Sequence, residues 1–241
     1  MVPRQRILRA VKTVLVVAAE PRELKGVLRK CRNVRRLDWP IQFARSGELN
    51  GQRMLMAAHG PGPLAAEAAA VALSREKVQA VVSTGSCGAL EDDLNTGDVF
   101  VASRILAKGR SYEAAQPPAG RKFRSGVLVS AERVVGTVEE KRRLAASGAS
   151  AVEMEAAAVA RQAEEFGVPF YCVRAVMDRA CEGFTLDFDG LRDRDGRFSR
   201  LRILRAALAR PWASLPELIR LERQGRIAAR ALGEFFADCR F

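Results

Sequence analysis

The stretch ASAVEMEAAAVARQAEEFGVPFYCVRAVMD, residues 149–178, carries the pattern that sets the fold. Residues 149–153 read as a strand and 155–166 as a helix. Gly167-Val168-Pro169 then breaks the chain before a second apolar strand over 170–176. Strand, helix and strand in this order form a βα unit, the building block of sheets covered by helices.

The same alternation extends upstream. A helix is expected over 137–146 and strands at Val127–Ser130 and Val99–Ala102, the latter introduced by Gly97-Asp98. Ala80–Ser83 is a strand leading into a glycine-rich turn, Gly85-Ser86-Cys87-Gly88, and an alanine-rich helix covers 64–76. The arms Ile41–Arg45 and Arg53–Ala58 flank Glu48-Leu49-Asn50-Gly51, whose Asn-Gly is a hairpin signal. Val14–Ala19 is a continuous apolar run, as in a strand buried on both faces, and feeds a helix near 22–31. Residues 108–125 read as a mobile loop, and two or three amphipathic helices end the chain, one starting near Ser214-Leu215-Pro216-Glu217. The fold class is therefore α/β, with a mixed, largely parallel central sheet flanked by helices. A single domain over 1–241 is expected, with a basic N-terminal arm (1–12) and a helical C-terminal extension (198–241).

Hydrophobic residues at 48% and charged residues at 28% exclude a disordered chain. No apolar run approaches the roughly 18 residues of a membrane span. Five cysteines without a CxxC pair, beside a single histidine, favour reduced thiols in a cytoplasm over a zinc site or a disulfide framework. The net charge of +12 is spread over the chain without a nucleic-acid module or interleaved aromatics, which argues against nucleic-acid binding.

Ligands of open α/β sheets bind beyond the carboxyl ends of the strands. The polar residues at those ends are Glu23, His59, Gly60 and Gly62, Thr84 to Gly88 with Ser86 among them, Ser130, Glu153 and Glu155 around Met154, and Asp178. Three carboxylates, Glu23, Glu155 and Asp178, converge on one edge. Each also has a purely structural reading as a solvated helix charge, a first-turn acid or an N-cap.

Ala151-Val-Glu-Met-Glu-Ala-Ala-Ala-Val-Ala160, Gly167-Val-Pro-Phe170 and Val173-Arg-Ala-Val-Met-Asp178 together resemble the purine nucleoside phosphorylase and methylthioadenosine/S-adenosylhomocysteine nucleosidase superfamily. Thr84-Gly-Ser-Cys-Gly-Ala-Leu90 with Leu94-Asn-Thr-Gly-Asp98 is similar to its central glycine motif and the strand that follows. The resemblance spans residues 14 to about 180. It implies a nucleoside phosphorylase-like three-layer α/β/α fold and cleavage of a purine N-glycosidic bond without a metal or organic cofactor, phosphate being the co-substrate of a phosphorylase. It implies homodimers or higher homo-oligomers.

By the same resemblance Asp178 donates or shares a proton at purine N7, and Glu155 accepts hydrogen bonds from the ribose 2′ and 3′ hydroxyls. Met154 packs on the sugar, and Glu23 orients an attacking water, with Glu20 the alternative. Glu153, Ser130, Ser86, Gly88, Gly62 and His59 complete the substrate-binding set, His59 as a candidate donor in the nucleophile pocket or a local hydrogen-bonding residue.

Ser83 stands where hexameric phosphorylases carry a phosphate-binding arginine, so water is favoured as nucleophile and phosphate is the alternative. Met177 and Val134 depart from the serine and the stacking aromatic of the methylthioadenosine nucleosidases, which leaves the 5′ group of the substrate open. Lys141-Arg-Arg-Leu144 before Ser147-Gly-Ala149, with Leu215-Pro-Glu-Leu218, is similar to the hopanoid-biosynthesis-associated branch. That likeness adds adenosylhopane to methylthioadenosine and S-adenosylhomocysteine as substrates, and peripheral membrane contact for the basic C-terminus. Solvated helix faces account for the same arginines equally well. A nucleoside-binding homologue without catalysis is the reading from another class.

Overall fold

Strand β5 (Ala80–Ala89) is the one around which the others are arranged. One of its edges pairs in parallel with β10 (Phe170–Asp178) from Val81 to Gly88. The opposite edge is divided. Strand β1 (Thr13–Ala18) occupies it in parallel over Ala80–Ser83, and β9 (Ala151–Glu153) takes it antiparallel at Gly88–Ala89. From β9 the sheet runs through β8 (Arg124–Ser130) and β6 (Val99–Ala107) back to β10, closing a ring of five strands. From β1 it opens into a wing of β4 (Gln52–Ala58), β3 (Phe43–Leu49) and β2 (Arg32–Arg36). The sheet is mixed: parallel pairing links β4, β1, β5 and β10, and again β6, β8 and β9, while the joins and hairpins are antiparallel.

These coordinates come from a computed structural model that describes residues 12–191, 193 and 211–241. The basic arm, apart from Lys12, lies outside the described residues, as does 198–210 of the C-terminal extension.

Strand β1 alternates sides, which places helices on both faces. Leu15 and Val17 pack with the alanines of α2 (Pro63–Arg75) and α4 (Ala156–Glu165). Val14, Val16 and Ala18 pack with Leu24, with Val27 of α1 (Lys25–Lys30), and with Leu232, Phe235 and Phe236 of α5 (Pro211–Phe236). Both faces of the strand are dry because both carry helices. Helix α3 (Val138–Ala145) starts at a capping box formed by Thr137 and Glu140.

The hairpin stands where expected, with Asn50 at φ 52° and Gly51 at φ 74° between paired Leu49 and Gln52. Four expectations change. Gly85–Gly88 is no turn but continues β5, because the Cβ-less backbone lets side chains from two other strands press against it. The expected loop 108–125 contains β7 (Arg110–Glu113), folded onto β6 through Lys108 and Gly109 at φ 43° and 74°, and the start of β8. Lysine at a positive φ hid that turn. The C-terminal region has one described helix, α5, and Ser214-Leu215-Pro216-Glu217 lies inside it. Glu217 is no capping residue there, since it accepts hydrogen bonds from Thr185 N at 3.0 and 3.1 Å. Helix α1 is shorter than 22–31, and the edge strand β2 follows it at once.

Candidate active site

Among the described residues, no strand lies beside the divided edge of β5 between Ser83 and Gly88, and the side chains from the neighbouring strand ends gather there. Glu23, in the turn after β1, accepts hydrogen bonds at Oε1 from Ser86 N (2.8 Å) and Ser86 Oγ (2.9 Å), and at Oε2 from Glu20 N (3.0 Å). A carboxylate thus takes two donors of the glycine segment, both from Ser86. Gly85, at φ 136°, makes this possible: a Cβ would lie 2.7 Å from Glu23 Oε1 and 2.9 Å from Arg174 Nη1.

Arg174 on β10 is fully buried. Its Nη1 donates to Thr84 O (3.0 Å) and Glu155 Oε2 (3.4 Å), its Nη2 to Ser83 Oγ (2.7 Å), and Nη2 also forms an ion pair with Glu153. Glu153 further accepts from the Glu155 and Ala156 N–H groups at 2.8 and 2.9 Å, so it caps α4 while neutralising Arg174. Glu155 is left the less compensated of the two. Burial first, and the charge of Glu153 next, push its carboxyl well above the usual carboxylate range, with Arg174 opposing.

Asp178 sits about two residues further along β5, beyond a register shift in β10 that pairs it with Gly88. A Cβ on Gly88 would lie 2.9 Å from Asp178 Oδ2. That oxygen accepts a hydrogen bond of 2.5 Å from Lys141 Nζ, which also donates to Arg179 O at 2.6 Å. Burial raises the Asp178 carboxyl above its ordinary value, and Lys141 acts against the rise. One end of the cluster therefore holds paired carboxylates around an arginine, and the other an acid with elevated proton affinity. That polarity suits a reaction in which positive charge develops at one centre and a proton is needed at another.

A family model, described as the phosphorylase superfamily, matches residues 13–120 and 112–208. The chain belongs to the phosphorylase superfamily. Among curated superfamily relatives, a 5′-methylthioadenosine/S-adenosylhomocysteine nucleosidase of Staphylococcus aureus is 29% identical over 179 residues, 62% of this chain and 78% of the relative. Similar solved structures share the superfamily fold. The S-adenosylhomocysteine nucleosidase of Streptococcus pyogenes, in complex with 5-methylthiotubericidin, has a TM-score of 0.69 at 21% identity, covering 95% of this chain and 98% of that one. The 5′-methylthioadenosine/S-adenosylhomocysteine nucleosidase of Neisseria meningitidis, in complex with methylthio-immucillin-A, has a TM-score of 0.67 at 24% identity, covering 94% and 99%. A futalosine hydrolase mutant of Helicobacter pylori has a TM-score of 0.59 at 21% identity, covering 69% and 89%.

Set in this superfamily fold, Glu23, Glu153 and Glu155 gather around Arg174, Ser86 joins them through Glu23, and Gly88 pairs with Asp178. Met154 is half-buried between the two glutamates, and a Cβ on Gly62, the residue before α2, would lie 4.0 Å from its carbonyl oxygen. Ser130 pairs with Glu153 in the sheet, and its Oγ accepts from Ala157 N at 3.3 Å. His59 is engaged elsewhere: Nδ1 accepts from Gln42 N at 3.0 Å, and Nε2 lies 3.6 Å from Glu67 Oε2. Glu20 contributes a backbone N–H to Glu23, and its carboxylate pairs with Arg22 at 2.7 Å, so of the two it is Glu23 that enters the cluster.

Two residues of the site carried no functional expectation. Arg174 had a signal, a permanent charge inside an apolar strand, which burial obliges to find anionic partners. Lys141, within Lys-Arg-Arg on a polar helix, had none. Among the described residues no group of three or more His, Cys, Asp or Glu side chains is placed to hold a metal ion.

Proposed function

We propose that this protein hydrolyses the N-glycosidic bond of an adenine nucleoside carrying a modified 5′ group, of the methylthioadenosine, S-adenosylhomocysteine or adenosylhopane kind. Asp178 protonates the departing base at N7, Glu155 takes the ribose hydroxyls, Met154 lies against the sugar, and Glu23 orients the attacking water. Hydroxyl donors and the cationic ribosyl centre favour the ionised form of Glu155 that burial opposes, so the site is most comfortable when the transition state is present. Hydrolysis consumes only water, so no cofactor enters the scheme.

The observation that carries this reading is the Glu23 carboxylate on Ser86 N and Oγ. A glycine segment with free N–H groups cradles an anion such as phosphate. Here the donors already hold an anion, and the nearest guanidinium, Arg174, is bound to two carboxylates, the Thr84 carbonyl and the Ser83 hydroxyl. A second anion would meet Glu23 directly, whereas a neutral water meets a hydrogen-bond acceptor. Relatives named as nucleosidases support the same choice.

Free adenine released from methylthioadenosine, S-adenosylhomocysteine, adenosine and an adenosylhopane analogue, with and without phosphate, tests this. Release independent of phosphate and lost by about 10²-fold or more in Asp178→Asn is expected. Strict phosphate dependence with ribose 1-phosphate as product would make the enzyme a phosphorylase, and no release from any substrate would favour a nucleoside-binding homologue. One domain spanning the chain, assembled as a homo-oligomer, completes the proposal; sedimentation at two concentrations reads the assembly.

A further inference from the structure

Helix α3 is anchored in an unusual way: its one fully buried side chain is a lysine. Lys141 is 1% exposed, while its neighbours Glu139, Arg142 and Arg143 lie in solvent. An inward residue chosen for packing would be apolar, because a lysine taken out of water loses hydration that only a good partner returns. Its partner is the carboxylate that faces the base in the scheme above. Nζ donates to Asp178 Oδ2 at 2.5 Å and to Arg179 O at 2.6 Å, and lies 6.0 Å from the centre of the Phe184 ring. The helix is fixed by its capping box, and Gly136 O just before it accepts from Phe184 N at 2.8 Å.

We propose that Lys141 is a positioning residue for base release: it holds the Asp178 carboxyl by Oδ2, leaving Oδ1 to the base, and its charge opposes the loading of that carboxyl with a proton. The proposal rests on Asp178 being the acid. Four groups from four elements bear on this carboxyl. Lys141 on α3 and Arg220 on α5 favour its ionised form, and Glu182, in the turn after β10, favours the protonated one. Cys87 on β5 is a buried thiol whose own proton is held more tightly beside Asp178. Arg220 and Glu182 largely answer each other, being 3.5 Å apart, and Arg220 also donates to Gly183 O at 3.2 Å. Lys141 is then the charge that tips the balance. Burial raises the proton affinity of the Asp178 carboxyl, and Lys141 opposes that rise. The lysine brings it back towards a value at which it both carries a proton and gives it up.

Two variants separate charge from geometry. Lys141→Gln keeps a donor and loses the charge, and Lys141→Met loses both. In each, Asp178 stays protonated to higher pH, so the alkaline limb of the kcat/KM profile for adenine release moves up by about one pH unit or more. Lys141→Met also loses about 10-fold or more in the plateau, because the carboxyl is no longer held. Gln, which keeps a polar donor at its tip, carries the test should Met prevent folding. A limb left in place in the folded Gln variant, with Asp178→Asn inactive, overturns the role of Lys141. If Asp178→Asn keeps the wild-type rate, the assignment of the acid fails instead, and this proposal with it.

Discussion

Arg174 keeps its charge at every pH the protein meets, so a fully buried guanidinium dictates the state of the groups around it. Glu153 answers that charge and caps α4, which frees Glu155 to be the carboxyl that burial pushes up. A carboxyl raised in the fold contributes stability below its unfolded value and forfeits it as pH rises through the folded one. Glutamine has no such charge. Glu155→Gln should therefore unfold at a higher temperature than wild type at neutral and alkaline pH, with the gap closing towards acid, while adenine release falls about 10²-fold or more. Thermal melts across pH check this, and a gap that does not grow with pH would contradict it. The Glu-Met-Glu spacing is legible in the sequence because both glutamates follow one short strand. Their division of labour is not, since it depends on an arginine 19 residues downstream from Glu155.

Helices α1 and α5 cross where two glycines meet. A Cβ on Gly233 would lie 2.4 Å from the Gly26 backbone, and one on Gly26 would lie 1.7 Å from Ala229 O. Backbone approach this close leaves no room for a methyl group. Gly233→Ala is expected to cost about 1–3 kcal/mol through overpacking, seen as a lower denaturation midpoint with kcat/KM unchanged in the folded protein. An unaffected midpoint would show that the crossing yields. Most elements were legible from apolar periodicity, β1, β4 and β10 above all, because their runs are long and sharply bounded. Strand β2, Arg-Asn-Val-Arg-Arg, escaped notice since it is exposed along its whole length and has no apolar face to betray it. Charge on such an edge also discourages pairing with other chains.

Among the described residues, buried and exposed cations are handled differently. The buried cations Arg174 and Lys141 are matched by carboxylates, whereas Arg32, Arg35 and Arg36 line an edge strand, and Arg226 and Arg230 make surface pairs with Glu222 and Glu234. Screening should therefore touch the periphery and spare the site. Hydrolysis of an uncharged nucleoside is expected to change little between about 50 and 200 mM salt, the range over which phosphate-bound complexes lose orders of magnitude. Steep loss of rate over that range would place surface charge in the reaction. The fold was legible because strands and helices alternate along the chain. The closure of five strands into a ring was not, since it needs pairings between segments remote in sequence.

The divided edge of β5 also says when activity can arise. Residue 23 and residue 178 become neighbours of one strand only after that strand has accepted β1, β9 and β10, drawn from stretches far apart along the chain. Loop-closure entropy is spent on these distant meetings before their contacts repay it, so they come late in assembly. A chain caught with any one of those partners missing can be helical and collapsed yet holds no pocket for a nucleoside.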